Sequence, residues 1–592
     1  MAKLRLRLLK AREGARVLLL KLKGIFKLRA RRISRSAVER VPRKIEFNLL
    51  TYGVVALIAL TTVLALQGLF ALRSKFMERV PQSGGVYREG VVGSFENLNP
   101  LYSPSNPADQ DAVALIYSGL LKIDSGLATV PDLAESVTPE QDGRVYKVVL
   151  KSDLKWHDGE PLTADDVLFT IETMKNPDAG SPLARVWRGV RVDKVSDTEV
   201  TLNVPKIASF EKYLTAPIIP SHKLKGIPAG NLAFYDEFNL HPIGSGPFAV
   251  SNLRTLADGE ELNLERSANY HGSKPLVSSV TLRSYNSELE ALNGLEKREV
   301  QAVAGLTGTY LARVMKIGYL DAIPLRIAEY TALFINMEEP QLKDRRVRTA
   351  IASVIDRGKI VSAGQPELYP IYGPILSDYL GFAASARGPA YDPDAAGRLL
   401  TSAGYNLSGE TAVNSKGEEL TLKFVAPEGP AFDNVVEQIA SDLSSIKIKV
   451  AVERPSIVEY QASYVIPRNY SLILASENAG YDPDPYLYWH STQAKDPGLN
   501  LSQLSNSKVD GALEAGRRAS DAATRAARYK EFQQVIASEV PAVFLFGRYY
   551  YYSVTEDVIG VVPTEFARLV EPKDRFANVA EWHLSTKWVF GK

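Results

Sequence analysis

The chain has 592 residues, 45% hydrophobic and 23% charged, an ordinary composition for folded protein and too many residues for one core, so two or three packed lobes are expected. It contains no Cys, which excludes a disulfide framework and a thioether-linked lipid but does not argue against an extracytoplasmic location. The net charge of +2 hides an asymmetry: residues 1–46 carry 16 Lys or Arg against Glu13, Glu39 and Glu46, so the rest of the chain is acidic, which argues against a nucleic-acid binder with a basic folded face.

In chain order, the basic stretch 1–46 comes first. Leu and Val interleave there with Lys and Arg, which suits either a helix lying on an anionic leaflet or a disordered tail that only enforces topology. From Phe47 to Leu72 no residue is charged. At about 1.5 Å per residue this run makes about 39 Å of helix, enough to cross a hydrocarbon layer of about 30 Å. The basic residues before it outnumber Arg73, Lys75 and Arg79 after it, which puts the N-terminus in the cytoplasm and the remainder outside. A cleaved signal peptide would have a shorter leader and a shorter apolar run. Residues 73–84 read as a polar linker.

Beyond the linker, strand and helix patterns alternate. Period-two or β-branched runs predict strands at Val145–Leu150, Glu199–Val204, Leu420–Val425, Ile448–Val452 and Ser471–Ala475. Thr163 with Asp166 three residues on predicts a capping box, followed by Val167, Ile171 and Met174 on one face. Asp344 opens a helix with Val347, Ala350, Ile351, Val354 and Ile355 at helical spacing. Asp392, Pro393 and Gly404 bracket another, and Phe432–Ile446 and Ala519–Ser538 are further candidates. The run Tyr549–Tyr552 reads as a strand with one buried face. The fold class expected from this mixture is α/β in separate lobes.

Chemistry-bearing motifs are few. The six His residues (His157, His222, His241, His271, His490, His583) show no metal-ligand spacing, and no metal or cofactor is expected. There is no Walker loop, G-x-S-x-G or G-x-G-x-x-G; Gly244, Ser245 and Gly246 lead into Pro247 and Phe248 instead of a helix. Ser152…Lys155 and Ser444…Lys447 match S-x-x-K, but S-D-N and K-T-G are absent, so a tethered envelope serine hydrolase remains only a rival reading.

Five segments in order, LKWHDGEPLTADDVLFTIETM at 154–174, HPIGSGPFAV at 241–250, FINMEEPQLKDRRVRTAIASVIDRGKIV at 334–361, YDPDAAGRLLTSAGY at 391–405 and YDPDPYLYWHS at 481–491, resemble the family 5 extracellular solute-binding proteins. These are the receptors of peptide, oligopeptide and nickel ABC importers. The resemblance implies a type II periplasmic-binding-protein fold of three lobes, here behind one N-terminal transmembrane helix. Lobe I would be about 85–118, 242–328 and 546–592, lobe II 119–241 and lobe III 329–545, with crossings near Glu329–Asn336 and Val540–Arg548. It implies a non-enzymatic receptor that closes lobes I and III on a peptide or other small solute and hands it to a permease with cytosolic ATPase subunits. A tethered sensor or presenting receptor is the alternative. An Asp three residues before an Asp/Glu-Pro pair commonly holds the ligand's amino group in this family. Counting back from Asp484-Pro485, that place is Tyr481, with Asp482 beside it. Ser94, Phe95 and Asn97 on the first loop, Gly244, Ser245 and Gly246, Tyr330 and Asn336 at the hinge, and Trp489 complete the expected ligand contacts. Trp156 and Asp158 are expected to be structural.

Overall fold

The computed structural model describes residues 52–65, 67, 77–124, 128–140, 143–204, 210–362, 366–482, 484–519, 521–561 and 568–590. The basic stretch 1–46 and both ends of the expected membrane span lie outside them. Residues 52–65 are helical and exposed, with Val54, Val55, Leu57, Ile58, Leu60, Val63 and Leu64 all open to the surroundings. Among the described residues no helix is long and apolar enough to cross a membrane. The chain divides into a smaller unit, Met1–Val80 with Lys587–Lys592, and a larger one, Pro81–Thr586. In the smaller, the stretch expected to be plain linker carries a strand, Met77–Pro81, paired with Thr586–Phe590. Local pattern could not show it, because its partner lies at the other end of the sequence.

The larger unit is built on a twelve-stranded sheet. Its strands are β1 (Val86–Val92), β2 (Phe248–Leu256), β3 (Gly259–Arg266), β4 (Ser279–Tyr285), β5 (Ala302–Ala304), β6 (Leu320–Ile335), β7 (Leu368–Pro370), β8 (Thr421–Val425), β9 (Lys449–Glu453), β10 (Leu472–Asn478), β11 (Ala542–Thr555) and β12 (Arg568–Leu569). The spatial order is β9-β8-β10-β6-β11-β5-β1-β4-β3-β2, with β7 on β11 and β12 on β6. Parallel pairs, β8 with β9 and β10 on one wing and β1 with β4 and β5 on the other, flank the antiparallel pair β6–β11. The sheet is therefore an α/β arrangement joined through two long strands. A separate four-stranded antiparallel sheet holds Ala134–Glu140, Val145–Leu150, Glu199–Asn203 and Arg191–Ser196 in that spatial order.

The β6–β11 ladder is interrupted once with consequence. Arg326 pairs with Tyr549 and Tyr330 with Gly547, so three residues of β6 face one of β11. On one side of this break β12 lies beside Arg326 and Ile327; on the other β10 lies beside Glu329–Ile335. Each half of β6 thus belongs to a different wing. A strand with such an irregularity bends more readily than a continuous ladder.

The main helices are α1 (Pro107–Ile116), α2 (Ala164–Lys175), α3 (Arg345–Val354), α4 (Pro393–Ser402), α5 (Pro430–Ser445), α6 (Ser507–Arg518) and α7 (Ala522–Glu539); α2 to α5 and α7 form where the sequence predicts helices, and α1 and α6 were not predicted. Thr163 and Asp166 make the reciprocal capping box on α2. Past the break, alternate residues face opposite cores: Leu333, Ile335, Val543 and Leu545 enter one, and Ala332, Phe334, Ala542 and Phe544 the other. The tyrosine run lies inside β11 as a strand, but Tyr551 and Tyr552 are both buried, so the expected single buried face is wrong there. β11 is central in the sheet and covered on both sides, which removes the alternation.

Candidate functional site

The site is best built outward from β10. The chain leaves the sheet at Asn478, and beyond 479–482 the short helix Tyr486–Trp489 follows Asp484 and Pro485. Tyr481 Oη donates to both carboxylate oxygens of Asp574, at 2.9 and 3.1 Å. Asp574 sits in the turn Pro572–Phe576 and also accepts from the amides of Val570 (3.1 Å) and Glu571 (2.8 Å). Because β12 lies beside Arg326–Ile327 and β10 beside Glu329, this contact ties together the chain on the two sides of the β6 break.

The turn is anchored from behind. Arg575, fully buried, donates from Nε to Glu89 at 2.9 Å and from its two terminal nitrogens to Asp111 at 2.7 and 2.5 Å. Glu89 in turn accepts from Tyr87 and Tyr552, each at 2.6 Å. Burial and the two carboxylates pull on the guanidinium in opposite directions; the carboxylates win and raise its pKa. A buried charge so fully paired is a rigid platform. It leaves Lys573 beside Glu571 and 3.6 Å from Asp574.

Next to Tyr481, Asp482 pairs with Arg525 of α7 at 2.5 Å, and Arg525 also donates to Tyr529 Oη at 3.0 and 3.2 Å. Asp484 receives two bonds from Arg517 of α6, 2.6 and 2.8 Å long, and that guanidinium lies 3.7 Å from the centre of the Tyr486 ring. Lys212, on the turn Phe210–Thr215, faces the same group. Burial lowers its pKa; Asp482 and Asp484 act against this, and Arg517 and Arg525 with it.

Other expected contacts fall elsewhere. Tyr330 is buried at the break, donating to Glu477 and accepting from Trp489 Nε1 at 3.4 Å. Trp489 is itself enclosed among Phe334, Phe532 and Phe544. Burial raises the Glu477 carboxyl well above its ordinary range. Asn336 pins loops, donating to Tyr470 O at 2.8 Å and accepting from Gln503 at 2.7 Å. Phe95 is in the core, Asn97 orders its own loop through Asp109 and Ala233, and Ser94 is exposed. Gly244 and Gly246 lie so close to the Ile116 backbone that a Cβ on Gly244 would stand 2.1 Å from Ile116 O. His157 bonds both, at 3.2 and 3.0 Å, and Ser245 Oγ between them is buried with no hydrogen-bond partner among the described residues. Trp156 is fully buried and Asp158 pairs with His222 and Lys223.

A cavity of about 230 Å³ opens beside the break, lined by Arg326, Tyr369, Tyr372, Ser377, Arg387 and Gln533 among others. A larger groove of about 620 Å³, between α4 and the end of α5, contains none of the residues above. Among the described residues no cluster of His, Asp or Glu is placed to hold a metal ion. Sequence reasoning missed Asp574, Lys573, Arg517, Arg525 and Lys212. Their signal was absent because each reaches the site from a distant segment.

Four matches to known proteins bear on what this arrangement is. The oligopeptide-binding protein AppA of Bacillus subtilis (strain 168) is 27% identical over 527 residues, 85% of this chain and 92% of that protein. The structure of AppA from Bacillus subtilis in complex with a nonapeptide matches with a TM-score of 0.65 at 24% identity, over 86% of this chain and 100% of that one. NikZ from Campylobacter jejuni, solved with Ni(L-His), matches with a TM-score of 0.65 at 24% identity, over 84% and 99%. Residues 128–498 match the family described as bacterial extracellular solute-binding proteins, family 5 Middle. That match spans well over half of the sequence, and the chain belongs to the family 5 bacterial extracellular solute-binding proteins.

Proposed function

We propose that the chain is the membrane-anchored, extracytoplasmic receptor of an ABC importer, taking peptides between lobes I and III and delivering them to a permease driven by separate ATPase subunits. The family supports the receptor role, and the oligopeptide-binding relative supports peptides as the solute. The Tyr481–Asp574 contact carries the reading, since it closes two wings over one break in a shared strand pair. A ligand enclosed there is released when the wings part, and binding then biases an open–closed equilibrium. The lobe boundaries of the sequence reading fit this use, with lobe II around the four-stranded sheet. The ligand contacts proposed are Tyr481 and Asp482 on one wing and Asp574 on the other, with Tyr330 at the break and Ser245 on the loop beside Ile116. The exposed apolar helix at 52–65, inside a longer uncharged run behind a basic stretch, supports the anchor.

Because the chain has no Cys, single cysteines make unambiguous topology reporters. In the full chain, S83C should react with a membrane-impermeant maleimide on intact cells, and S36C only after permeabilisation. Labelling of both on intact cells, or release of the chain by alkaline extraction, would sink the anchor. Bound material from the full chain, identified by mass spectrometry, should be peptide; recovery of a metal chelate instead would replace the ligand and leave the receptor role standing.

A further inference from the structure

Four carboxylates around Tyr481 come with their counter-ions built in. Asp482 is paired to Arg525 and Asp484 to Arg517, while Glu571 and Asp574 share Lys573. Asp378 nearby pairs with Arg568 at 3.4 Å. Neither arginine on the Tyr481 side is a loose surface partner. Arg525 is braced by Tyr529 and Arg517 by the Tyr486 ring, so each guanidinium is held on its carboxylate by a second contact. Glu477 is 3% exposed and accepts from Tyr330, and burial raises its carboxyl well above the ordinary range. The free positive charge is on the other side of the balance. Lys212 meets the patch with no carboxylate at ion-pairing distance among the described residues, and Arg326 and Arg387 line a cavity whose walls include no carboxylate.

An ammonium taken out of water needs a carboxylate whose charge is not already compensated; otherwise it adds an unpaired cation to a low-dielectric site. We propose that Arg525 and Arg517 set the specificity of this receptor: as resident counter-ions on Asp482 and Asp484 they exclude a ligand ammonium, so the chain selects peptides whose amino terminus is blocked, by acylation or cyclisation, over free ones. Tyr481 fits the same chemistry, presenting a neutral hydroxyl that is already committed to Asp574. This inference rests on the peptide reading above.

The test uses the full chain in detergent and a random nonapeptide library in two forms, free-amine and N-acetylated, with retained peptides counted by mass spectrometry. Wild type should retain the acetylated form at least about tenfold better, R525Q should cut that ratio by about tenfold or more by unmasking Asp482, and R525K should restore it. R517Q is read by the same ratio, so a folding defect in one variant leaves the other decisive. Equal retention of the two forms by wild type, a preference for free amines, or an unchanged ratio in the folded Gln variants overturns the inference while leaving the peptide reading intact. If wild type retains neither form, the peptide reading fails. The inference, which requires wild type to retain the acetylated form, then falls with it.

Discussion

Asp109 shows how a single buried carboxyl in this chain trades local order against charge. Its two oxygens accept from the amides of Glu96 and Asn97 at 3.0 and 2.9 Å, which orders the first loop. Burial nevertheless outweighs these bonds and pushes its pKa up to about 6. In the unfolded chain the group titrates near its ordinary value of about 4, so between about pH 4 and 6 the native state binds the extra proton. Native stability from this group is therefore greatest below pH 4 and falls as pH rises through 6. Replacing it with Asn removes the titration. The stability of wild type minus that of D109N, from urea unfolding, should fall by about 2–3 kcal/mol between pH 4 and 7. A difference that does not change with pH would show that the amide bonds, and not burial, govern this carboxyl.

At the scale of elements, α2 is a helix whose start was written into the sequence and then reused by the fold. Thr163 caps the backbone of the first turn, and Asp166 returns a bond to the Thr163 amide at 2.9 Å. The same Asp166 also accepts from Ser221 N at 2.9 Å and from Trp156 Nε1 at 3.4 Å. The motif that marks the helix N-terminus thus also fastens two neighbouring segments. T163A should lower stability by about 1 kcal/mol, measured by chemical denaturation, because it removes a cap and leaves Asp166 and its outside bonds in place. The strands divide differently. Val145–Leu150 is legible from its alternation, whereas Met77–Pro81 and β12 exist only because distant partners complete them. A two-residue strand such as β12 has too short a period to read at all.

For the whole molecule, the consequential feature is that one long strand pair belongs to two wings and is broken between Arg326 and Tyr330. The Tyr481–Asp574 bonds are a small latch over that break. Y481F removes them without changing the ring, at a cost of about 0.5–1.5 kcal/mol to the joined arrangement. The expected outcome is a shift of up to about tenfold toward the open form, seen as a larger radius of gyration in solution scattering and a faster ligand off-rate with little change in on-rate. An unchanged radius and off-rate would show that the wings are held by packing alone.

The sequence by itself determined the elements whose cause is local. Capped helices, alternating strands, the uncharged run at 47–72 behind its basic stretch, and five ordered segments sufficient to expect the family were all readable from neighbouring residues. Only the tertiary structure decided which charges meet. Asp482 in the sequence is an acid beside Asp484; in the fold it is half of an ion pair whose other half stands 43 residues away on α7. Asp574 comes to Tyr481 from 93 residues away, carried there by β12 and held by Arg575. Caps and periodicities are set by bonds within one or two turns of chain, and these follow the sequence directly. The balance of charge at a buried site depends on desolvation and on partners brought in by packing, neither of which is a property of any segment alone.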